Sequence, residues 1–274
     1  MQILNFLIRL SYSDLNNERL SEIHTYTNCM KKYLLICCLA ISGIATGQKK
    51  NYISLSFISA FPVGDFAKTE TNYISSTLGY AKRGIGADLL YVHRNNKGNF
   101  GFAATLRWRQ NKIDTASVLV DQENTQIPAF AWTKKEINWS LKAIMTGGYF
   151  GRSISPKLTF NSRILTGIAL ATLPEIHWTG TAKSPYSGYS EFKREKASSY
   201  CVSTCLAAGL EFAFTKKLSW LLNGEYWYAK PTFKNVYQEL SKSWGGNSTG
   251  GSGNVIYPVD MSTIGVNMGI ALNL

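Results

Sequence analysis

Charge is what this sequence has least of. Only 17% of its 274 residues are Asp, Glu, Lys or Arg, against roughly 25% in ordinary soluble domains. Long hydrophobic runs are missing as well. With no stretch of about 18 apolar residues, a polytopic helical membrane protein is excluded. There are three histidines and five cysteines. No Walker loop, zinc-ligand spacing or Gly-x-Ser-x-Gly nucleophile elbow occurs, so the common signatures of nucleotide, structural-zinc and α/β-hydrolase chemistry are absent. Aromatic residues are plentiful, with 15 Tyr, 13 Phe and 7 Trp. A chain that rich in large apolar side chains is not disordered. Its length is ample for a sizeable core.

The cysteines sort by position. Cys29, Cys37 and Cys38 fall in or before a targeting segment. Cys201 and Cys205 lie on a predicted strand, four residues and so about 13 Å apart. That exceeds the reach of a disulfide, about 4.4–6.8 Å between Cα atoms, and of a shared zinc. They are expected as small interior side chains.

Met30-Lys31-Lys32, the apolar run Tyr33–Ile41 and the small-residue stretch Ser42–Gln48 form an export signal. Cleavage is expected after Gly47, which makes 30–47 the signal peptide and 48–274 the mature domain. No lipobox precedes either cysteine of the apolar run. Residues 1–29 are expected to be a non-native upstream extension, with translation starting at Met30; a genuine extension is the alternative. Removing 1–47 takes away four Lys or Arg and three Asp or Glu, so the net charge moves only from +12 to +11.

From Asn51 onward the apolar residues recur with a period of two. Strands are predicted at 51–61, 84–94, 100–110, 137–150, 158–170, 199–214, 218–230 and 261–274. The apolar sets include Phe100, Leu106 and Trp108, then Trp139, Leu141, Met145 and Tyr149, and finally Ile264, Val266, Met268 and Ile270. Asp88, Arg107, Arg109, Lys142, Arg163, Glu211 and Glu225 are assigned to the opposite register. A soluble barrel buries its apolar face, whereas a membrane barrel turns it outward and lines the interior with polar groups. The connections favour the second. Asn95–Asn99, Gly151–Lys157 and Thr215–Lys217 are tight turns; Pro62–Arg83, Asn111–Glu136, Ala171–Ser198 and Pro231–Asp260 are long, polar and rich in Gly, Ser and Thr. Strict alternation puts every long loop at one end. Aromatic rings fall at two depths: Phe100, Phe102, Tyr149, Phe160, Phe212, Phe214 and Trp220 near the short turns, and Trp108, Trp139, Tyr226 and Tyr228 near the long loops. Two such belts suit two membrane interfaces. The expected fold is therefore all-β, an eight-stranded antiparallel up-and-down transmembrane β-barrel with four long extracellular loops. Both termini are expected in the periplasm.

The signal Met30–Gln48, the segment Phe61-Pro62-Val63-Gly64-Asp65-Phe66 after the first strand, and the terminal strand Ser262–Leu274 resemble the small outer-membrane β-barrel proteins of Gram-negative bacteria, in particular the PorT-like and OmpA/OmpX-like group. The resemblance spans the mature chain. It implies an outer-membrane location and recognition by the barrel-assembly machinery. Such barrels usually end in an aromatic residue, whereas this one ends in Leu274.

Members of that group include lipid A-modifying enzymes, and such an activity requires a catalytic set. His177, Ser184 and Glu175 can be written as a triad, but their spacing matches no motif, and His177 reads as an exposed rim histidine; His93 sits at a strand end. No catalytic, cofactor or metal site is assigned. The basic residues are dispersed, without a stripe or interleaved stacking aromatics, which argues against nucleic acid. Arg94, Lys97, Arg152, Lys157, Lys216 and Lys217 border the short turns, and Lys193, Arg194 and Lys196 the opposite rim. Contact with outer-membrane lipid and lipopolysaccharide is their expected use. Two functions stand: a non-enzymatic structural or interaction barrel, with a charge-filled closed lumen and loops that bind an external or envelope protein, and a narrow porin-like channel for small solutes.

Overall fold

The computed structural model describes residues 51–69, 79–95, 99–123, 130–133, 137–183 and 187–274. The upstream segment, the signal peptide and Ser184 lie outside these residues. Among the described residues thirteen strands follow one another: β1 (Tyr52–Val63), β2 (Ala81–Arg94), β3 (Phe100–Ile113), β4 (Phe130–Thr133), β5 (Asn138–Ser155), β6 (Leu158–Leu173), β7 (Ile176–Ala182), β8 (Gly188–Arg194), β9 (Ala197–Ala213), β10 (Leu218–Ala229), β11 (Thr232–Trp244), β12 (Asn247–Pro258) and β13 (Met261–Asn273). Helix α1 (Thr115–Glu123) lies between β3 and β4. Asp114 starts it, its carbonyl accepting from Val118 N at 3.1 Å.

Eight strands close into an antiparallel barrel in the order β1-β13-β10-β9-β6-β5-β3-β2. Closure is made by β1 against β13, paired from Tyr52↔Asn273 to Val63↔Ser262. A closed barrel leaves none of its backbone N–H and C=O groups on an unpaired edge. The eight barrel strands correspond to the eight predicted segments.

The outer wall is apolar. Phe57 is 74% exposed, Phe100 70% and Val202 70%, and Leu55, Ile164, Leu206, Val266 and Ile270 share that surface. The alternate residues turn inward: Tyr52, Ser54 and Ser56 on β1 are buried. Asp88, Arg107, Arg109, Arg163, Glu211 and Glu225 point inward, the reverse of a water-soluble barrel.

The long connections Ala171–Ser198 and Pro231–Asp260, read from the sequence as loops, carry strands of their own. Strands β4, β7, β8, β11 and β12 form a second, five-stranded antiparallel sheet in the order β12-β11-β8-β7-β4. Its inward residues, Trp178, Phe192, Phe233 and Val236, are buried in the same apolar cluster as Phe66, Trp139 and Trp227. Two short alternations, Ile176–Trp178 and Ser190–Phe192–Arg194, carried that information but were diluted by the polar composition around them. Strand β12 carries no such signal: Asn247–Asn254 is exposed throughout, and its conformation rests on backbone pairing with β11 alone.

Candidate functional site: the charged lumen

The lumen is built by register. Asp88 and Arg107 are cross-strand partners, and Arg107 Nη2 lies 2.8 Å from Asp88 Oδ2. Thr105 donates its hydroxyl to the same carboxylate. Arg163 reaches Asp88 from across the barrel, Nη2 to Oδ2 3.6 Å. Glu225 is the second hub. It meets Arg107 at 3.0 Å and pairs with Arg109, while Asn267 Nδ2 donates to it at 2.6 Å. Arg109 also donates to the Thr263 hydroxyl. The indole of Trp227 covers both guanidiniums, 4.4 Å from Arg109 and 5.3 Å from Arg107.

All five charged residues of this cluster are at most 5% exposed. Charges removed from water survive only when paired and hydrogen-bonded, because the desolvation of each ion is several kcal/mol or more. Bidentate, shared pairing of two carboxylates among three guanidiniums meets that demand. Cys205 joins the cluster, its Sγ accepting from Arg107 Nη1 at 3.2 Å.

Nearer the short turns stands a separate pair. Arg94 is bound to Glu211 and its guanidinium lies between two rings, 4.9 Å from Tyr52 and 5.3 Å from Tyr149. At the other end the lumen is capped by Phe66, Trp139, Trp227, Leu141 and Met261. A void of about 10 Å³ remains between these and Arg109, near the lower limit for one water.

Six of the seven predicted lumen charges thus face inward. Lys142 does not. It is exposed on the outer wall, because β5 pairs with β3 through Arg107↔Ala143 and Arg109↔Leu141. Directly opposed residues share a face, so the inward arginines carry Leu141 and Ala143 inside and leave Lys142 outside. The same register corrects two belt residues. Trp139 is 2% exposed and lies inside, its Nε1 donating to Gly79 O at 2.7 Å. Tyr149 is 1% exposed and stacks edge-on with Tyr52. Trp108, Phe160, Phe212, Trp220 and Tyr226 do face outward, half-buried or exposed.

Arg94, Thr105, Cys205, Trp227, Thr263 and Asn267 were not singled out as lumen partners. Parity would have found Arg94, which is even-numbered on β2 like Asp88. It was grouped instead with the turn cations beside it.

Of the written triad, Ser184 lies outside the described residues, and His177 is paired with Glu191. His177 Nε2 meets Glu191 Oε1 at 2.7 Å on the exposed face of the second sheet, with Lys193 Nζ 3.0 Å from the same oxygen. Hydrogen bonds from His177 and Lys193 hold the Glu191 carboxyl below its ordinary value. Arg194, buried beneath with its guanidinium 5.6 Å from the Tyr257 ring, is pulled down by burial. His93 Nδ1 donates to Asn51 Oδ1 at 2.9 Å. Cys201 and Cys205 are both free.

No protein-family model matches the chain, and no curated protein matches it either. Solved structures with a similar barrel are outer-membrane proteins. Neisserial surface protein A superposes with a TM-score of 0.41 at 9% identity, over 84% of this chain and 100% of that one. The attachment invasion locus protein Ail of Yersinia pestis gives 0.36 at 13% identity, over 83% and 99%. The protease OmpT of Escherichia coli gives 0.29 at 10% identity, over 84% and 100%.

Proposed function

We propose that this chain is a bacterial outer-membrane β-barrel of the structural and interaction type, closed to solutes and presenting its second sheet to a partner outside the membrane. The observation that carries this reading is the inversion of the barrel: an apolar wall outside, and five charged residues at most 5% exposed inside. Water would reward the opposite arrangement, and only a hydrocarbon surround makes this one favourable. The paired charges and the aromatic cap support a sealed lumen rather than a conduit. The β11–β12 hairpin supports the interaction role, because Asn247–Asn254 is exposed throughout while its backbone stays ordered by pairing.

The test is reconstitution into phosphatidylcholine vesicles followed by protease. Insertion predicts a protected barrel core and cleavage confined to the second sheet and the exposed turns. Complete digestion without protected fragments contradicts it. Whole cells displaying the protein are expected to lose the β11–β12 region to added protease while the turn at Pro156–Lys157 is spared.

A further inference from the structure

The end of β5 and the turns β5–β6 and β9–β10 place four cations together at the rim opposite the second sheet: Arg152, Lys157, Lys216 and Lys217. All four are exposed, and among the described residues none of them makes an ion pair with a carboxylate. Glu211, the acid at this end, is buried and already bound to Arg94. The two turns are neighbours because β6 pairs with β9, Leu158 opposite Phe212, and Ala213 N donates to Lys157 O at 2.8 Å. The second turn is shaped locally. The Thr215 hydroxyl accepts from Lys217 N at 3.2 Å and from Leu218 N at 3.0 Å, the side-chain mimic of a backbone turn. Lys217 O accepts from Asn273 N at 2.8 Å, which ties this turn to the last strand. The lysines therefore project from a fixed scaffold.

Directly along the outer wall from these cations lie Phe160, Phe212, Phe214, Leu218 and Trp220, all exposed. Phe212 and Phe214 pack edge-on, ring centroids 5.4 Å apart. Arg152 stands opposite Phe160 across the β5–β6 ladder. Aromatic girdles flank the apolar band of a membrane barrel at its interfaces, and the Trp220 ring is of the type that rests at headgroup level. Like charges gathered without an ion-pair partner repel one another and attract anions from outside.

We infer that this rim is a binding site for the phosphate of anionic phospholipids in the leaflet it meets. The inference rests on the membrane reading and goes beyond it by naming the ligand class and the residues. Arg152 offers a planar fork to phosphate oxygens, and the three lysines offer point charges around it. The aromatic belt sets the depth at which those contacts are made.

The test is native mass spectrometry of the delipidated full chain in detergent, titrated with dioleoylphosphatidylglycerol or with dioleoylphosphatidylcholine. The two lipids share acyl chains and differ in net charge. The native protein is expected to retain phosphatidylglycerol preferentially, and R152Q/K157Q/K216Q/K217Q is expected to lose that preference, by about fivefold per cation removed. K196Q/K234Q, at the other end, is expected to keep it. Equal retention of both lipids by the native protein overturns the site, as does an undiminished preference in the quadruple variant. Displacement of bound phosphatidylglycerol by equimolar inorganic phosphate overturns the lipid as the ligand. Insertion into phosphatidylcholine vesicles without any charge preference removes this site and leaves the membrane reading standing; failure to insert into any vesicle removes both.

Discussion

Asp88 and Arg107 face each other across the β2–β3 ladder, fully enclosed, with a nitrogen–oxygen separation of 2.8 Å. Neither has water to fall back on. The same is true of Glu225, which serves Arg107, Arg109 and Asn267 together. Replacing Glu225 by Ala strands the buried Arg109 guanidinium, leaves Arg107 with Asp88 alone, and is expected to cost about 3–5 kcal/mol of stability. Equilibrium urea unfolding in lipid vesicles measures this. A loss under about 1 kcal/mol would show that water, not Glu225, satisfies the arginines.

Lys142 gives the opposite expectation. Because it lies on the outer wall, Lys142→Met removes no lumen partner. Lys142 stands opposite Trp108 near one interface, so the change is expected to leave stability in a bilayer unaltered or to raise it by up to about 1 kcal/mol. A loss comparable with that of the Glu225 variant would return Lys142 to the interior.

The outer wall can be probed at Leu206, exposed at 51% midway along β9. Leu206→Arg puts a charge at the centre of the proposed hydrocarbon band, and it is expected to cost about 2–4 kcal/mol in a bilayer. On a wall facing water the same change is nearly neutral. Unfolding titrations in vesicles separate the two outcomes.

On the second sheet, Glu191 carries a depressed pKa through its hydrogen bonds from His177 and Lys193. A carboxyl whose folded value lies below its unfolded one adds stability that is complete above the ordinary carboxylate range, near pH 4.3. That stability is lost as pH falls through the folded value. Carbon-detected NMR titration should show Glu191 ionising below an unpaired glutamate, and H177A should move it upward. The site is open to solvent, so the effect on global unfolding is expected to be small.

The barrel was legible because its signal is repeated eight times. Each strand alternates, and the terminal strand alternates without a break from Ile264 to Leu274. The inward charges were legible by the same parity, except where β5 is apolar on both faces. There Trp139, Leu141 and Met145 looked like wall residues beside Ile144 and Phe150. Only pairing with Arg107 and Arg109 decides which set turns inward, and pairing is not written in one strand. The second sheet was missed for a different reason. Strands β4, β7 and β8 are short, and β12 has no side-chain pattern over Asn247–Asn254, so their structure rests on backbone pairing with neighbouring strands. Thr263 lies 154 residues from its partner Arg109, and a sequence gives no distance across a closed barrel.

The central claim is a membrane-spanning barrel whose lumen is sealed by paired charges beneath an aromatic cap. Planar lipid bilayer recording of the purified, folded protein tests it most directly. The account predicts a silent bilayer, with no stable unitary currents in either polarity. Sustained stepwise currents carried by the pure protein would contradict it.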